Sequence, residues 1–397
     1  MKLLGGIFIV AGTTIGAGML ALPVSTAFGG FFPAFLLFFL CWLIMLATSF
    51  FFLDVNLSLK GEPNFISMAG KTLGTGGKVV SWIVYLLLLY SLTAAYITAS
   101  TPLFVQAAHY LTGYTLPDAL AHFSLPLLFG FFIYLGTAGV DQINRILMIG
   151  LILAFILLAG VIPPHIQPAL LFHYDLPAIT LSIPVIFTSF GYHIVIPSLT
   201  TYFKHDRREL TLAILIGSLL PLLFYLLWET LVLGVVPLDV LATTWKEGSL
   251  ITEPLARLLK SPWLGNVARF FSFFAVVTSF LGVALSLSDF LTDGLKLKKS
   301  WEGRLFAILL TFIPPLFFVF AYKRAFYLAL DHAGALVAIL LGILPAAMAW
   351  RLPSPKFYRT VPGRLLLLTV ILLSLGAVIV DILESRGLLS GLIERYL

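Results

Sequence analysis

The chain has 397 residues, of which 60% are apolar, 14% aromatic and 11% charged, against roughly 45 to 50% apolar and about 25% charged in an ordinary soluble domain. A water-soluble globule is excluded. The net charge is +6, but the charges sit in short clusters between long apolar runs rather than on one basic face, so no nucleic-acid partner is expected.

A helix needs about 20 mainly apolar residues to cross the hydrocarbon layer. Eleven stretches meet that need: 3–27, 31–53, 79–108, 123–140, 146–162, 178–201, 210–236, 266–290, 303–322, 326–349 and 364–383. They predict an all-α integral membrane protein with almost no soluble domain. The first stretch follows Lys2 and runs to Met19-Leu20-Ala21 like a secretory leader, yet its polar, glycine-rich centre argues for a span. That centre reads Gly12-Thr13-Thr14-Ile15-Gly16-Ala17-Gly18, at a depth where lipid-facing backbone must be fully hydrogen-bonded, and is expected to unwind. Cys41, the single cysteine, lies in the second stretch and reads as packing. Pro63 and the apolar positions of 65–73 predict a short amphipathic segment on the inner membrane surface.

The sixth stretch has a second polar centre, Phe187-Thr188-Ser189-Phe190-Gly191-Tyr192-His193, flanked by Pro184 and Pro197. Breaks five spans apart predict two inverted repeats, residues 1–165 and 166–350, with an added eleventh helix and short tail in 351–397. Sixteen of the 24 Lys and Arg fall in alternate connections on the side of the N-terminus, including Lys204-His205-Asp206-Arg207-Arg208 and Lys296-Leu297-Lys298-Lys299. The positive-inside rule then predicts a cytoplasmic N-terminus and an outer C-terminus. The longest outer connection, 237–265, is expected to carry a surface helix over 251–259.

At the first break the chain resembles the hydroxy/aromatic amino acid permease family, whose tyrosine and tryptophan permeases begin with a near-identical Ala11-Gly12-Thr13-Thr14-Ile15-Gly16-Ala17-Gly18-Met19-Leu20 run. The likeness continues through Leu92-Thr93-Ala94-Ala95-Tyr96-Ile97, Ile183 to Gly191, and Thr278-Ser279-Phe280-Leu281-Gly282-Val283-Ala284-Leu285. It implies the amino acid, polyamine and organocation superfamily and a five-plus-five inverted repeat (LeuT-type) like that of sodium-coupled leucine transporters. It also implies ion-coupled uptake of aromatic amino acids, with tyrosine the closest match, in the bacterial inner membrane. The chain departs from enteric tyrosine permeases at Trp228-Glu229, where they tend to carry Trp-Gln, and at Asp331-His332, where they tend to be uncharged.

An amino acid zwitterion entering a low-dielectric site needs donors for its carboxylate and acceptors for its ammonium group. Broken helices expose both. The N–H groups of Ile15 to Gly18, with Thr13 or Thr14, are expected to take the carboxylate. The carbonyls of Gly12 and of Phe187 to Phe190, Ser189 among them, are expected to take the ammonium. Phe190, Tyr192, Tyr90 and Tyr96 are the candidate aromatic walls for the side chain, with His193 or Asp331 a partner for a substrate phenol.

Ionisable groups inside a membrane default to functional hypotheses. His193, Glu229, Asp331 and His332 are the candidate proton carriers. A sodium reading competes with them: Ala275, Thr278 and Ser279 fall at i, i+3 and i+4 on one helical face and, with the carbonyls of Gly12 and Ile15, resemble the second sodium site of the leucine transporters. The proton is favoured over sodium as the coupling ion, and no cofactor is expected. A channel would need charged rings, and a membrane-embedded enzyme a nucleophile with its base or a metal cluster. Asp289 and Asp293 share a face without a second aspartate motif, and no His-x-x-x-His occurs, so a carrier is expected rather than an enzyme.

Overall fold

A computed structural model describes residues 2–61, 63–298, 300–322, 325–353 and 356–396. Among them ten helices are long and apolar enough to cross a bilayer. An eleventh crossing is made by a bent pair, α1 (Lys2–Thr14) and α2 (Gly18–Thr26), with 56° between its two arms. Crossings two and three are α3 (Phe31–Ser58) and α4 (Phe65–Thr112). α5 (Asp118–Ala121) leads into the fourth crossing, α6 (Ser124–Leu135), and α7 (Thr137–Val161) is the fifth. The sixth is again divided, into α8 (Ile183–Ser189) and α9 (Ile196–Tyr202), followed by α10 (Arg207–Leu233) as the seventh. α11 (Leu238–Glu247) and α12 (Thr252–Leu258) form the long connection before α13 (Pro262–Gly294) and α14 (Trp301–Ala321). α15 (Ala325–Val337) and α16 (Leu344–Trp350) share the tenth crossing across a wide π-helical turn, Ala338–Ile343, and α17 (Val361–Ser385) is the eleventh, before the short α18 (Gly391–Glu394).

All eleven predicted crossings are present. α4 extends past its predicted start because Asn64 caps it, accepting the Ser67 N–H at 2.9 Å. The predicted surface segment is the first part of that helix, set off by Gly74, whose φ of 78° only glycine adopts readily. α12 matches the predicted 251–259 segment; α11 was not foreseen. Lys299, counted as an orientation signal, lies outside the described residues.

The broken crossings form the centre of the bundle and the added helix its edge. Every residue of α2 from Met19 to Thr26 is buried, whereas α17 has 22% of its most apolar window buried, against 72% for the tenth crossing. Large apolar side chains such as Leu127, Phe317 and Leu372 stand more than 60% exposed, which suits hydrocarbon and would not suit water.

α15 approaches α8 at Gly334, where an added Cβ would fall on the main chain of Pro184. Thr188 Oγ1 also donates to the Leu330 carbonyl at 3.2 Å across the same contact. Rigid backbone cannot give way as a side chain can. Gly334→Val should therefore destabilise the protein by about 3 kcal/mol or more, read as a lowered unfolding temperature in detergent; an unchanged temperature would contradict this packing.

At the face opposite the N-terminus, the turn after α2 is closed by the connection between α7 and α8. Gly30, at φ 86°, leaves no room for a Cβ beside the His173 carbonyl, and the Asp175 N–H donates to the Gly29 carbonyl at 2.9 Å. The segment after α17 returns over this turn: Arg395 pairs with Asp175 at 2.6 Å, and the Tyr396 hydroxyl donates to the same carboxylate at 2.5 Å. Burial alone would raise the Asp175 carboxyl, but Tyr396, the Ala178 N–H and Arg395 hold it below the usual carboxylate range. Ile393 meanwhile packs with Phe28, Leu181 and Ala242.

Candidate substrate site at two helix breaks

α1 stops where local bonds compete with the helical ladder. Thr13 and Thr14 turn their hydroxyls back onto the carbonyls of Ile9 and Val10, each at 2.7 Å, and Gly16 and Gly18 add poor helix formers. The Ile15 N–H still reaches the Ala11 carbonyl at 2.9 Å, while the Ala17 N–H leaves the ladder for Ser279 Oγ on α13, also at 2.9 Å. Among the described residues, the N–H groups of Gly16 and Gly18 and the carbonyls of Gly12, Thr13 and Ile15 have no main-chain partner. Donors and acceptors thus stand within one unwound turn.

The second break is more self-contained. Phe190 and Gly191 donate to the carbonyls of Phe187 and Thr188, both at 3.2 Å, and Tyr192 donates to the Phe190 carbonyl at 3.1 Å. The Phe187 and Phe190 carbonyls each keep a second lone pair.

One face of α10 joins the two breaks. The Tyr225 hydroxyl lies 2.6 Å from the Thr14 carbonyl and 3.0 Å from the Ser189 carbonyl. One turn on, Trp228 Nε1 donates to the Met19 carbonyl at 3.0 Å, an acceptor left over because Pro23, four residues ahead, has no N–H. Glu229, 1% exposed, accepts the Thr26 hydroxyl at 2.9 Å, and its other oxygen has no partner among the described residues.

Both breaks border a cavity of about 500 Å³ that extends towards the N-terminal face through Phe8, Tyr85, Asn144 and Ser286. Of the predicted residues, Gly12, Thr13, Thr14, Ile15, Gly16, Gly18, Ser189, Tyr96, Thr278 and Ser279 line it. Ala17 and Ala275 lie just behind the wall, fully buried. Thr278 spends its hydroxyl on its own helix, donating to Phe274 at 2.7 Å and Ala275 at 3.2 Å.

The other predicted residues stand elsewhere. Phe187 and Phe190 are buried in the packing around the break, with Phe190 against Phe38 and Tyr225. Tyr90 donates to the Leu310 carbonyl of α14 at 3.0 Å. Tyr192 meets Ser49, and His193 Nε2 lies 2.8 Å from Thr48 Oγ1, both inside the contact with α3. His332 pairs with Asp381 of α17 at 2.9 Å, and Asp331 is buried within α15. No Asp, Glu, Lys, Arg or His lines the cavity among the described residues, so His193, Glu229, Asp331 and His332 all lie outside it.

Sequence reasoning passed over Asn144 and Tyr225, and gave Trp228 no role at the site. Asn144 precedes the predicted start of its span and reads as loop; in the structure its Oδ1 is buried beside the cavity without a partner among the described residues. Tyr225 and Trp228 share a helical face with Glu229, a spacing that could have marked them.

Comparison with known proteins gives the family and the fold. The family model for the tryptophan/tyrosine permease family matches residues 1–381. A tryptophan-specific transport protein of Shigella flexneri is 33% identical over 98% of this chain and 96% of its own length. Tyrosine-specific transport system 2 of Haemophilus influenzae is 31% identical over 98% of both. Among solved structures, MhsT in complex with L-phenylalanine superposes with a TM-score of 0.60 at 15% identity, covering 96% of this chain and 98% of that one. A manganese transporter of Eremococcus coleocola gives 0.61 at 16%, covering 99% and 92%. These two likenesses speak to the fold alone, which is the five-plus-five transporter fold with broken helices one and six.

Proposed function

Since the chain belongs to the tryptophan/tyrosine permease family, and so is a membrane transporter of aromatic amino acids rather than an enzyme, we propose that it imports tyrosine by proton symport across the bacterial inner membrane, with alternating access. The observation that carries this reading is a cavity that, among the described residues, has no charged side chain and is bordered by unpaired main-chain donors and acceptors. Such a surface suits a ligand that brings both charges with it. The carboxylate goes to the N–H groups of Gly16 and Gly18, and the ammonium to the carbonyls of Gly12, Thr13 and Ile15 at the first break and of Thr188 and Ser189 at the second. Tyr85, Leu88, Tyr96 and Met148 supply apolar wall, and the unpartnered Asn144 oxygen offers an acceptor. The phenol of tyrosine and the indole N–H of tryptophan are both donors, so tryptophan is the second substrate this wall accommodates. The cavity's extension to the N-terminal face, with the opposite end sealed, corresponds to the inward-facing state if the N-terminus is cytoplasmic.

Sodium is the competing coupling ion, because Gly12, Ile15, Thr278 and Ser279 border the same cavity. Ser279 Oγ already accepts the Ala17 N–H, which takes up a lone pair that a sodium ion would need and weighs towards the proton. In proteoliposomes, labelled tyrosine should show saturable counterflow that unlabelled tyrosine or tryptophan inhibits and leucine does not. Net accumulation should follow an imposed pH gradient in sodium-free medium. Absence of saturable counterflow would remove the carrier reading, and accumulation only with sodium would replace the proton.

A further inference from the structure

We infer that Tyr225 is a positioning residue for the substrate's ammonium group: it holds the C-terminal ends of α1 and α8 together so that their carbonyls face the bound ligand. Thr14 and Ser189 are the last residues of those two helices, and a helix C-terminus carries roughly half a negative charge. Two such ends meeting at one point call for a cation or a hydrogen-bond donor. The single phenolic proton of Tyr225 supplies it, shared between carbonyls at 2.6 and 3.0 Å. Tyr225 is 1% exposed and does not line the cavity, whereas Thr14 and Ser189 both do.

The tie joins unlike partners. α1 is the half of the first crossing nearer the N-terminal face, and α8 is the half of the sixth nearer the opposite face. A bond between their inner ends fixes the acceptors on the two sides of the breaks relative to one another. Phe190 and Phe38 pack about the same ring, so the hydroxyl is delivered by a rigid aromatic rather than by a flexible chain.

This inference rests on the carrier reading, and the test separates the two. Tyr225→Phe keeps the ring and removes the donor. In proteoliposomes it should raise KM for tyrosine at least tenfold while the maximal rate per inserted molecule stays within threefold, since misplaced acceptors weaken binding without blocking the cycle. A KM within threefold of wild type, with or without a lower maximal rate, would overturn the role and leave Tyr225 as packing. Should Y225F not insert, Y225H, which keeps an N–H donor on a ring, is compared with Y225L: a KM at least threefold lower for Y225H supports the role, and equal values overturn it. If wild type itself shows no saturable aromatic uptake, the carrier reading fails and this inference falls with it.

Discussion

Gly16→Leu should abolish substrate binding while the protein still inserts and runs as a single species in detergent. An added Cβ at Gly16 already intrudes on Ser279 Oγ, the acceptor that holds the Ala17 N–H. Even alanine must therefore displace the one side chain that ties the unwound turn to α13. Leucine adds three further carbons beside the N–H groups proposed to receive the carboxylate. A carboxylate denied those donors gives up charge-assisted hydrogen bonds worth about 1.5 to 3 kcal/mol each. The expected rise in Kd is at least about hundredfold, or ~2.8 kcal/mol, with Gly16→Ala intermediate. Equilibrium binding of labelled tyrosine to purified protein checks this; wild-type affinity in G16L would contradict the placement of the site.

Glu229→Gln is the second large effect, and it falls on coupling instead of binding. Glu229 is buried and, among the described residues, makes no salt bridge. A protonated carboxyl can donate through its free oxygen, and a carboxylate can only accept, so gain and loss of a proton changes what α10 offers to α2. The substitution keeps an acceptor for the Thr26 hydroxyl but fixes the group in one state. Tyrosine counterflow should therefore persist within a few fold, while accumulation driven by a pH gradient falls to the equilibrium level. An accumulation ratio equal to wild type would remove Glu229 from the coupling path.

The crossings were legible because hydrocarbon demands long apolar runs, and the breaks because glycine, threonine and serine at mid-membrane violate that demand. The cavity-facing residues of the first break followed directly, since main-chain groups are placed by the backbone itself. Aromatic walls were not legible: Tyr90 and Tyr96 share one helix and differ in no local feature, and Phe190 lies inside the second break, yet tertiary packing turns Tyr90 and Phe190 into helix contacts. The isolated ionisable residues were visible, but their partners were not. His332 meets Asp381 across 49 positions and Glu229 meets Thr26 across 203, separations that no periodicity encodes. Tyr225 escaped notice for the same reason. Its hydroxyl acts at two carbonyls 211 and 36 residues away.

A density map of the protein with tyrosine bound should show the ligand between the two breaks, its carboxylate within hydrogen-bond distance of the Gly16 and Gly18 N–H groups and its ring against Tyr85, Tyr96 and Met148. A ligand bound elsewhere, or helices one and six running unbroken with no space between them, would contradict this arrangement.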